Sequence, residues 1–176
     1  MSTQLGWSKL VGGGLVIATL FLAAPAGAAM TAGSLIKTKA FADVYYLGAD
    51  GKRYVFPNPR VFGSWYKKTS KVTMITVSAM SALQVGGNVT FKPGAKLVRI
   101  APDTKVYVVS KGGTLRWVAN EDVAATLYGN NWKQLVDDVD PANYVNYKVG
   151  ASITTASQFD KASEVTVVTS IDSNLK

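Results

Sequence analysis

The chain has 176 residues and a formal net charge of +8; 48% of its residues are hydrophobic, 17% are charged, and Cys and His are absent. Without Cys and His, zinc sites built from those residues, thiol nucleophiles, Ser-His-Asp triads and imidazole acid–base catalysis are excluded. Most familiar enzyme classes depend on one of these chemistries, so we expect a protein that is not an enzyme and carries no cofactor. The length suits one domain, or two small ones that share a core.

The first 28 residues predict a signal peptide. Lys9 supplies a positive charge, residues 10–24 form an apolar run, and Ala26-Gly27-Ala28 is a small-residue motif of the kind that signal peptidases cleave. The apolar run, extended to Ala29, also reaches about the twenty residues that a bilayer requires, so a retained membrane anchor stays the alternative. Both interpretations predict a secreted or cell-surface protein.

The next stretch predicts a β-hairpin that leads into a short helix. A lead-in strand is expected at residues 35–39, followed by strand-forming residues from Val44 to Phe56 around the turn signal Asp50-Gly51. Asn58-Pro59 then combines a helix-capping residue with a proline at the first helical position. We expect this helix to cover residues 59–66.

The remainder of this unit predicts short alternating elements. Residues 72–77 favour a strand, and Ser78 is expected to cap a helix over residues 79–83. Gly86-Gly87-Asn88 has turn chemistry, and residues 89–91 favour another strand.

The same order of signals returns about 62 positions later. Val106 corresponds to Val44 and Leu97 to Leu35, and Asn120 again begins a helix-like run. A strand is expected at residues 144–147. Such self-similarity indicates a duplicated unit, so we divide the chain into a signal peptide (1–28), unit one (29–96), unit two (97–155) and a C-terminal segment (156–176).

The C-terminal segment has no counterpart in unit one. A polar spacer leads to residues 164–171 (EVTVVTSI), which have high β-propensity and little charge. We expect a strand that pairs with a sheet edge, either in its own chain or in a neighbouring molecule. The predicted fold class is therefore α+β and β-rich, with two tandem β-hairpin-plus-short-helix repeats and an extra C-terminal strand.

Three motifs carry a resemblance to a known kind of module. Residues 44–59 (VYYLGADGKRYVFPNP), the pattern F-x-x-WY at 62–66 and residues 85–100 (VGGNVTFKPGAKLVRI) resemble a repeat module of secreted and cell-envelope bacterial proteins that is frequent in candidate-phylum bacteria. Unit two departs from the pattern at Val118-Ala119-Asn120. The resemblance implies an envelope location and a non-catalytic role.

Two residue groups are candidates for a binding site. An aromatic and basic set either stacks sugars of a glycan or forms the core; its members are Tyr45, Tyr46, Arg53, Tyr54, Trp65 and Tyr66. Tyr46 and Tyr54 are expected to pair across the hairpin. Asp137, Asp138 and Asp140 form a weak calcium candidate; the glycine and the distant Glu of a calcium loop are missing, so turn or helix-cap chemistry is the favoured explanation.

Charge is divided unevenly along the chain. Residues 29–100 contain eleven Lys and Arg and two acids, a net charge of +9, whereas residues 101–176 carry −2. Complementary halves favour head-to-tail contacts, which build filaments or S-layer-like lattices. We therefore predict a structural surface protein that self-associates; the alternative is a monomeric module that binds peptidoglycan or an anionic cell-wall polymer. The dispersed lysines match no nucleic-acid-binding motif.

Overall fold

The structure, a computed structural model, describes residues 30–175. It contains two five-stranded mixed sheets and several short helices, so the predicted α+β, β-rich class with two similar halves is confirmed. The predicted signal peptide lies outside the described residues. Between residues 30 and 175, no helix is long and apolar enough to cross a membrane.

The first half forms a sheet in the order β4-β1-β2-β3-β5. Its three central strands are antiparallel, and both edge strands run parallel to their neighbours. A helix precedes each edge strand. The elements are β1 (Leu35–Lys37), β2 (Tyr45–Leu47), β3 (Arg53–Val55), α1 (Pro59–Trp65), β4 (Val72–Met74), α2 (Val77–Ala82) and β5 (Val85–Asn88).

The second half repeats this topology in the order β10-β8-β7-β6-β9, again with parallel edge strands. A 3₁₀ segment, Pro141–Asn146, takes the place of α2, and another, Trp132–Leu135, follows the helix. The elements are β6 (Leu97–Ile100), β7 (Val106–Ser110), β8 (Thr114–Trp117), α3 (Glu121–Tyr128), β9 (Val136–Val139) and β10 (Lys148–Val149).

The predicted helix caps are present in both halves. The side-chain oxygen of Asn58 accepts hydrogen bonds from the backbone N–H groups of Arg60 and Val61, each at 2.9 Å. Asn120 caps α3 in the same way, through the N–H of Val123 at 2.9 Å. These bonds satisfy donors that have no partner inside the first helical turn.

The predicted C-terminal strand is wrong. Residues 161–167 form a helix, α4 (Lys161–Val167), which begins because the Asp160 carboxylate accepts a hydrogen bond from the N–H of Ser163. A 3₁₀ segment, Ile171–Asn174, follows and docks on the body of the same chain. Tertiary contacts and a strong cap override the β-propensity of the valines and threonines here.

Three other boundaries differ from those predicted. Gly86 and Gly87 are strand residues of β5, and residues 89–91 are not a strand. Residues 144–147 belong mainly to a 3₁₀ segment capped by Asp140, because Pro141 and the cap favour a helical turn. Helix α2 begins two residues earlier than expected, at Val77, with Thr76 rather than Ser78 as its cap.

Each sheet has a helix side, on which its first helix packs, and a far side. On the first sheet, Tyr46 and Tyr54 are paired on the helix side with Val61 of α1. Ile36 and Leu47 lie on the far side, against Met80 of α2. The side chains alternate between the two sides as strand geometry requires.

The two halves pack head to tail. The helix side of the first sheet shares one core with the far side of the second, which contributes Val98, Val109 and Leu115. The helix side of the second sheet, with Leu97 and Val108, packs against α3 in a separate core. The far side of the first sheet is covered by α2 of its own half, which buries Ile36 and Leu47 and leaves Tyr45 and Arg53 partly exposed.

The C-terminal segment closes the second half and returns to the junction. Phe159 is buried in the core beneath α3. Ile171 is buried in the core that both halves share. The segment therefore packs against both the second half and the junction between the halves.

Candidate functional site

Two members of the predicted aromatic set are buried. Tyr46 and Tyr54 face each other across the hairpin, as expected, and neither has a ring surface open to solvent. The Tyr54 hydroxyl donates a 2.8 Å hydrogen bond to Asp50, and burial raises the pKa of Tyr54 to about 12. These rings pack the core and leave nothing for a sugar to stack on.

Trp65 and Tyr66 are half-buried at the edge of the same core. The indole N–H of Trp65 donates a 2.8 Å hydrogen bond to the carbonyl oxygen of Thr90. The Tyr66 ring packs edge-on against Phe56, at 6.1 Å between centroids. Both side chains hold the end of α1 against the segments that directly follow β3 and β5.

Tyr45 and Arg53 lie apart from the others, on the far side of the first sheet. The Arg53 guanidinium sits 5.3 Å from the Tyr45 ring centroid and donates a 2.8 Å hydrogen bond to the carbonyl oxygen of Met80. They line a cleft of about 260 Å³ whose rim includes Phe41 and Val77, with exposed fractions of 60% and 49%. Such exposure of two apolar residues at one cleft is typical of an interaction surface.

The three aspartates of the calcium candidate do not converge. The side chain of Asp137 is buried and pairs with Arg60 and Lys96, whereas Asp138 points to the other side of β9 and pairs with Arg99 at 2.8 Å. Asp140 caps a 3₁₀ segment through the N–H of Ala142. In residues 30–175, no group of three acidic residues is placed to hold a metal ion.

Asp137 instead joins the two halves. It belongs to β9 of the second half, and its carboxylate lies 2.8 Å from the Arg60 guanidinium of α1 in the first. Lys96, in the connection between the sheets, approaches the second oxygen at 3.3 Å. Nearby, the Asn88 side chain donates to Asn143 at 2.6 Å. The junction is therefore polar at its rim and apolar at its centre.

A second anchor at the junction was not predicted from the sequence. The Asp172 carboxylate accepts hydrogen bonds from the Tyr46 hydroxyl, the Ala49 N–H and the Ser170 hydroxyl. Partial burial alone would raise the pKa of Asp172, but these hydrogen bonds hold it below its usual value. Asn174 adds hydrogen bonds to Thr90 at 2.9 Å and from the N–H of Gly113 at 2.9 Å.

The second half carries a groove that the sequence analysis also missed. It measures about 260 Å³, and two indoles, Trp117 and Trp132, line it together with Lys105, Asn120 and Glu121. Lys105 lies over the Trp117 ring at 5.4 Å, and Lys133 lies over the Trp132 ring at 5.3 Å. The signal in the sequence was the presence of tryptophans in unit two without counterparts in unit one.

Comparisons with protein families, curated proteins and solved structures found no match to this chain. The resemblance to an envelope repeat module stays a prediction. Three surfaces are candidates for a functional role: the far side of the first sheet with its cleft beside Tyr45 and Arg53, the polar junction, and the groove lined by Trp117 and Trp132.

Proposed function

We propose that this protein is an exported, non-catalytic structural protein whose molecules associate head to tail at the cell surface, into a filament or layer. The observation that supports this proposal is the packing within the chain, where the helix side of the first sheet packs against the far side of the second sheet. A contact between two unlike surfaces does not close on itself, so its repetition between molecules extends an assembly.

On the far side of the first sheet, α2 takes the place that the first half occupies on the far side of the second sheet. Val98 and Tyr107 pair on the far side of the second sheet, where Val98 is buried beneath the first half. Their equivalents in the first sheet, Ile36 and Tyr45, pair in the same register. Beside them, the exposed Val77 side chain offers the apolar surface that a neighbour would bury.

The charges of the two halves support one direction of contact. The first half carries the excess of Lys and Arg, whereas α3 of the second half begins with exposed Glu121 and Asp122. We assign the contact to the far side of the first half and the α3 end of a neighbour, because opposite charges steer such an encounter. The C-terminal segment stays in place in this arrangement.

Light scattering and electron microscopy of the mature protein test the proposal. We expect particles larger than a monomer at low salt, which dissociate as the salt concentration rises past roughly 0.5 M. Val77→Glu should weaken association by placing a charge in the contact, whereas Val149→Glu, at an exposed site on the opposite sheet edge, should not. A monomer at every salt concentration would overturn the proposal.

One observation favours the alternative, a monomeric module that binds anionic cell-wall polymers. The net charge of +9 in the first half attracts any polyanion, not only a second copy. Co-sedimentation with purified cell walls distinguishes the two functions. Binding that Val77→Glu leaves unchanged, by a protein that is monomeric at all salt concentrations, would favour the alternative.

A further inference from the structure

We infer that the groove between Trp117 and Trp132 is a binding site for an acidic carbohydrate. This goes beyond the proposed self-association, because it assigns a small-molecule ligand to the groove; the groove shares Glu121 with the α3 end that the proposed contact uses. Its volume of about 260 Å³ suits one or two sugar rings at a time better than a larger ligand.

The two indoles provide stacking surfaces. Trp117 is 36% exposed, a large fraction for this residue type, and the half-buried Trp132 also lines the groove. A sugar ring has apolar C–H faces and a polar rim of hydroxyl groups. The indole faces can stack on the apolar C–H faces of the sugar, and polar side chains at the edge of the groove can bond to its hydroxyl groups.

Lys105 lines the groove, and Lys133 beside it offsets the charge of Glu121, so these three side chains together carry a net positive charge that favours an anionic ligand. Both Lys105 and Lys133 lie along an indole face, and Lys133 is also paired with Glu121 at 3.0 Å. These exposed stems are flexible, so each ammonium group can swing from its ring to the rim when a sugar stacks there. An acidic sugar then gains charge-assisted hydrogen bonds in addition to stacking, whereas a neutral sugar gains stacking alone.

The fold itself does not require this groove. Trp117 pairs with Tyr107 in the second sheet at the position where Val55 pairs with Tyr45 in the first. Lys105, which precedes β7 by one residue, likewise corresponds to Asp43 before β2. The first half forms the same sheet with an aliphatic residue and an acid at these positions. The aromatic and basic residues are thus an addition peculiar to the second half.

The test uses calorimetric titration of the mature protein with oligogalacturonate, and with the matched neutral galactose oligomer. We expect the acidic oligomer to bind at least tenfold more tightly, with an affinity that falls as salt rises. Trp117→Val, which introduces the residue of the first half, should lower this affinity at least tenfold while the unfolding temperature stays close to that of the wild type. Tyr144→Ala removes an exposed aromatic residue outside the groove and serves as the control.

Three results would overturn the inference: no binding of either oligomer, equal binding of both, or unchanged binding by Trp117→Val. Lys105→Glu gives a second measurement, with selective loss of the acidic oligomer expected and unchanged selectivity counting against the site. Failure here is separable from failure of the proposed function. Val77→Glu, which should be monomeric, keeps the whole groove and should bind oligogalacturonate normally. Trp117→Val keeps Glu121, Asp122 and Val77 and should still associate.

Discussion

The Tyr46 hydroxyl donates a hydrogen bond to the carboxylate of Asp172, 126 residues further along the chain. The other carboxylate oxygen accepts a 2.8 Å hydrogen bond from the N–H of Ala49. One side chain thus connects the first hairpin to the C-terminal 3₁₀ segment, and Ile171 beside it is buried in the core of both halves.

Replacing Asp172 by Ala should destabilise the protein by about 2 kcal/mol, because a charged acceptor of several hydrogen bonds is lost and the buried Tyr46 hydroxyl keeps only Ser170 as a partner. Urea unfolding measures this change. Asp43→Ala, at an exposed position, is the control and should alter the free energy of unfolding by less than about 0.5 kcal/mol. Equal stability of the two variants would contradict the prediction.

The contribution of Asp172 should also depend on pH. Its pKa is lowered in the folded protein, so it stabilises the fold above its unfolded pKa of about 3.9, and this stabilisation is lost as the pH falls through the folded pKa. The difference in unfolding free energy between the wild type and Asp172→Asn should therefore be largest at neutral pH and shrink below about pH 4. A difference that stays constant down to about pH 2 would count against this account.

Gly86→Ala should be strongly destabilising. An added Cβ would lie 2.4 Å from Cζ of Tyr54, whose ring is buried and whose hydroxyl is bonded to Asp50. We expect a loss of about 1–3 kcal/mol from overpacking. Gly63→Ala is the matched control: its Cβ meets nothing within 4 Å, and α1 should gain about 0.5–1 kcal/mol. Thermal unfolding of both variants decides, and a Gly86→Ala protein as stable as the wild type would refute the clash.

The ion pair at the junction should matter more than one on the surface. Arg60→Ala leaves the carboxylate of Asp137, whose side chain is 8% exposed, with Lys96 as its remaining cation. We expect a loss of about 1–3 kcal/mol. Lys133→Ala removes a pair in which both partners are mostly exposed and should cost less than about 1 kcal/mol. Chemical denaturation measures both losses of unfolding free energy, and equal losses would contradict the prediction.

Local signals in the sequence predicted much of the fold. Asn58 and Asn120 act as helix caps, and Gly51 has the positive φ of 77° that the hairpin turn requires. Such features depend on a few neighbouring residues, so they are visible without knowledge of the tertiary structure.

The elements that were predicted wrongly depend on distant residues. Gly86 has the composition of a turn, yet it is a glycine because the ring of Tyr54 occupies the space of a side chain. Residues 164–171 favour a strand, yet Gly94 lies so close to α4 that an added Cβ would be 2.8 Å from the Lys161 carbonyl oxygen. Neither contact has a signature in the local sequence.

In the candidate sites, too, residue types could be predicted from the sequence, whereas their positions depend on the tertiary structure. The sequence identified the aromatic set, but only the strand register shows that Tyr46 and Tyr54 face the core while Tyr45 faces the opposite side. Trp117 and Trp132 become neighbours because α3 turns the chain between them. Proximity of that kind follows from packing rather than from spacing.

The docking of the C-terminal segment has a consequence for kinetics. Asp172 bonds to a residue 126 positions away, and Asn174 to one 84 positions away. Contacts across such separations carry a large loop-closure cost and are expected to form after the folding barrier has been crossed. We therefore expect the contacts of residues 171–174 to set the lifetime of the folded molecule: a variant that lacks them should unfold faster and fold at nearly the wild-type rate.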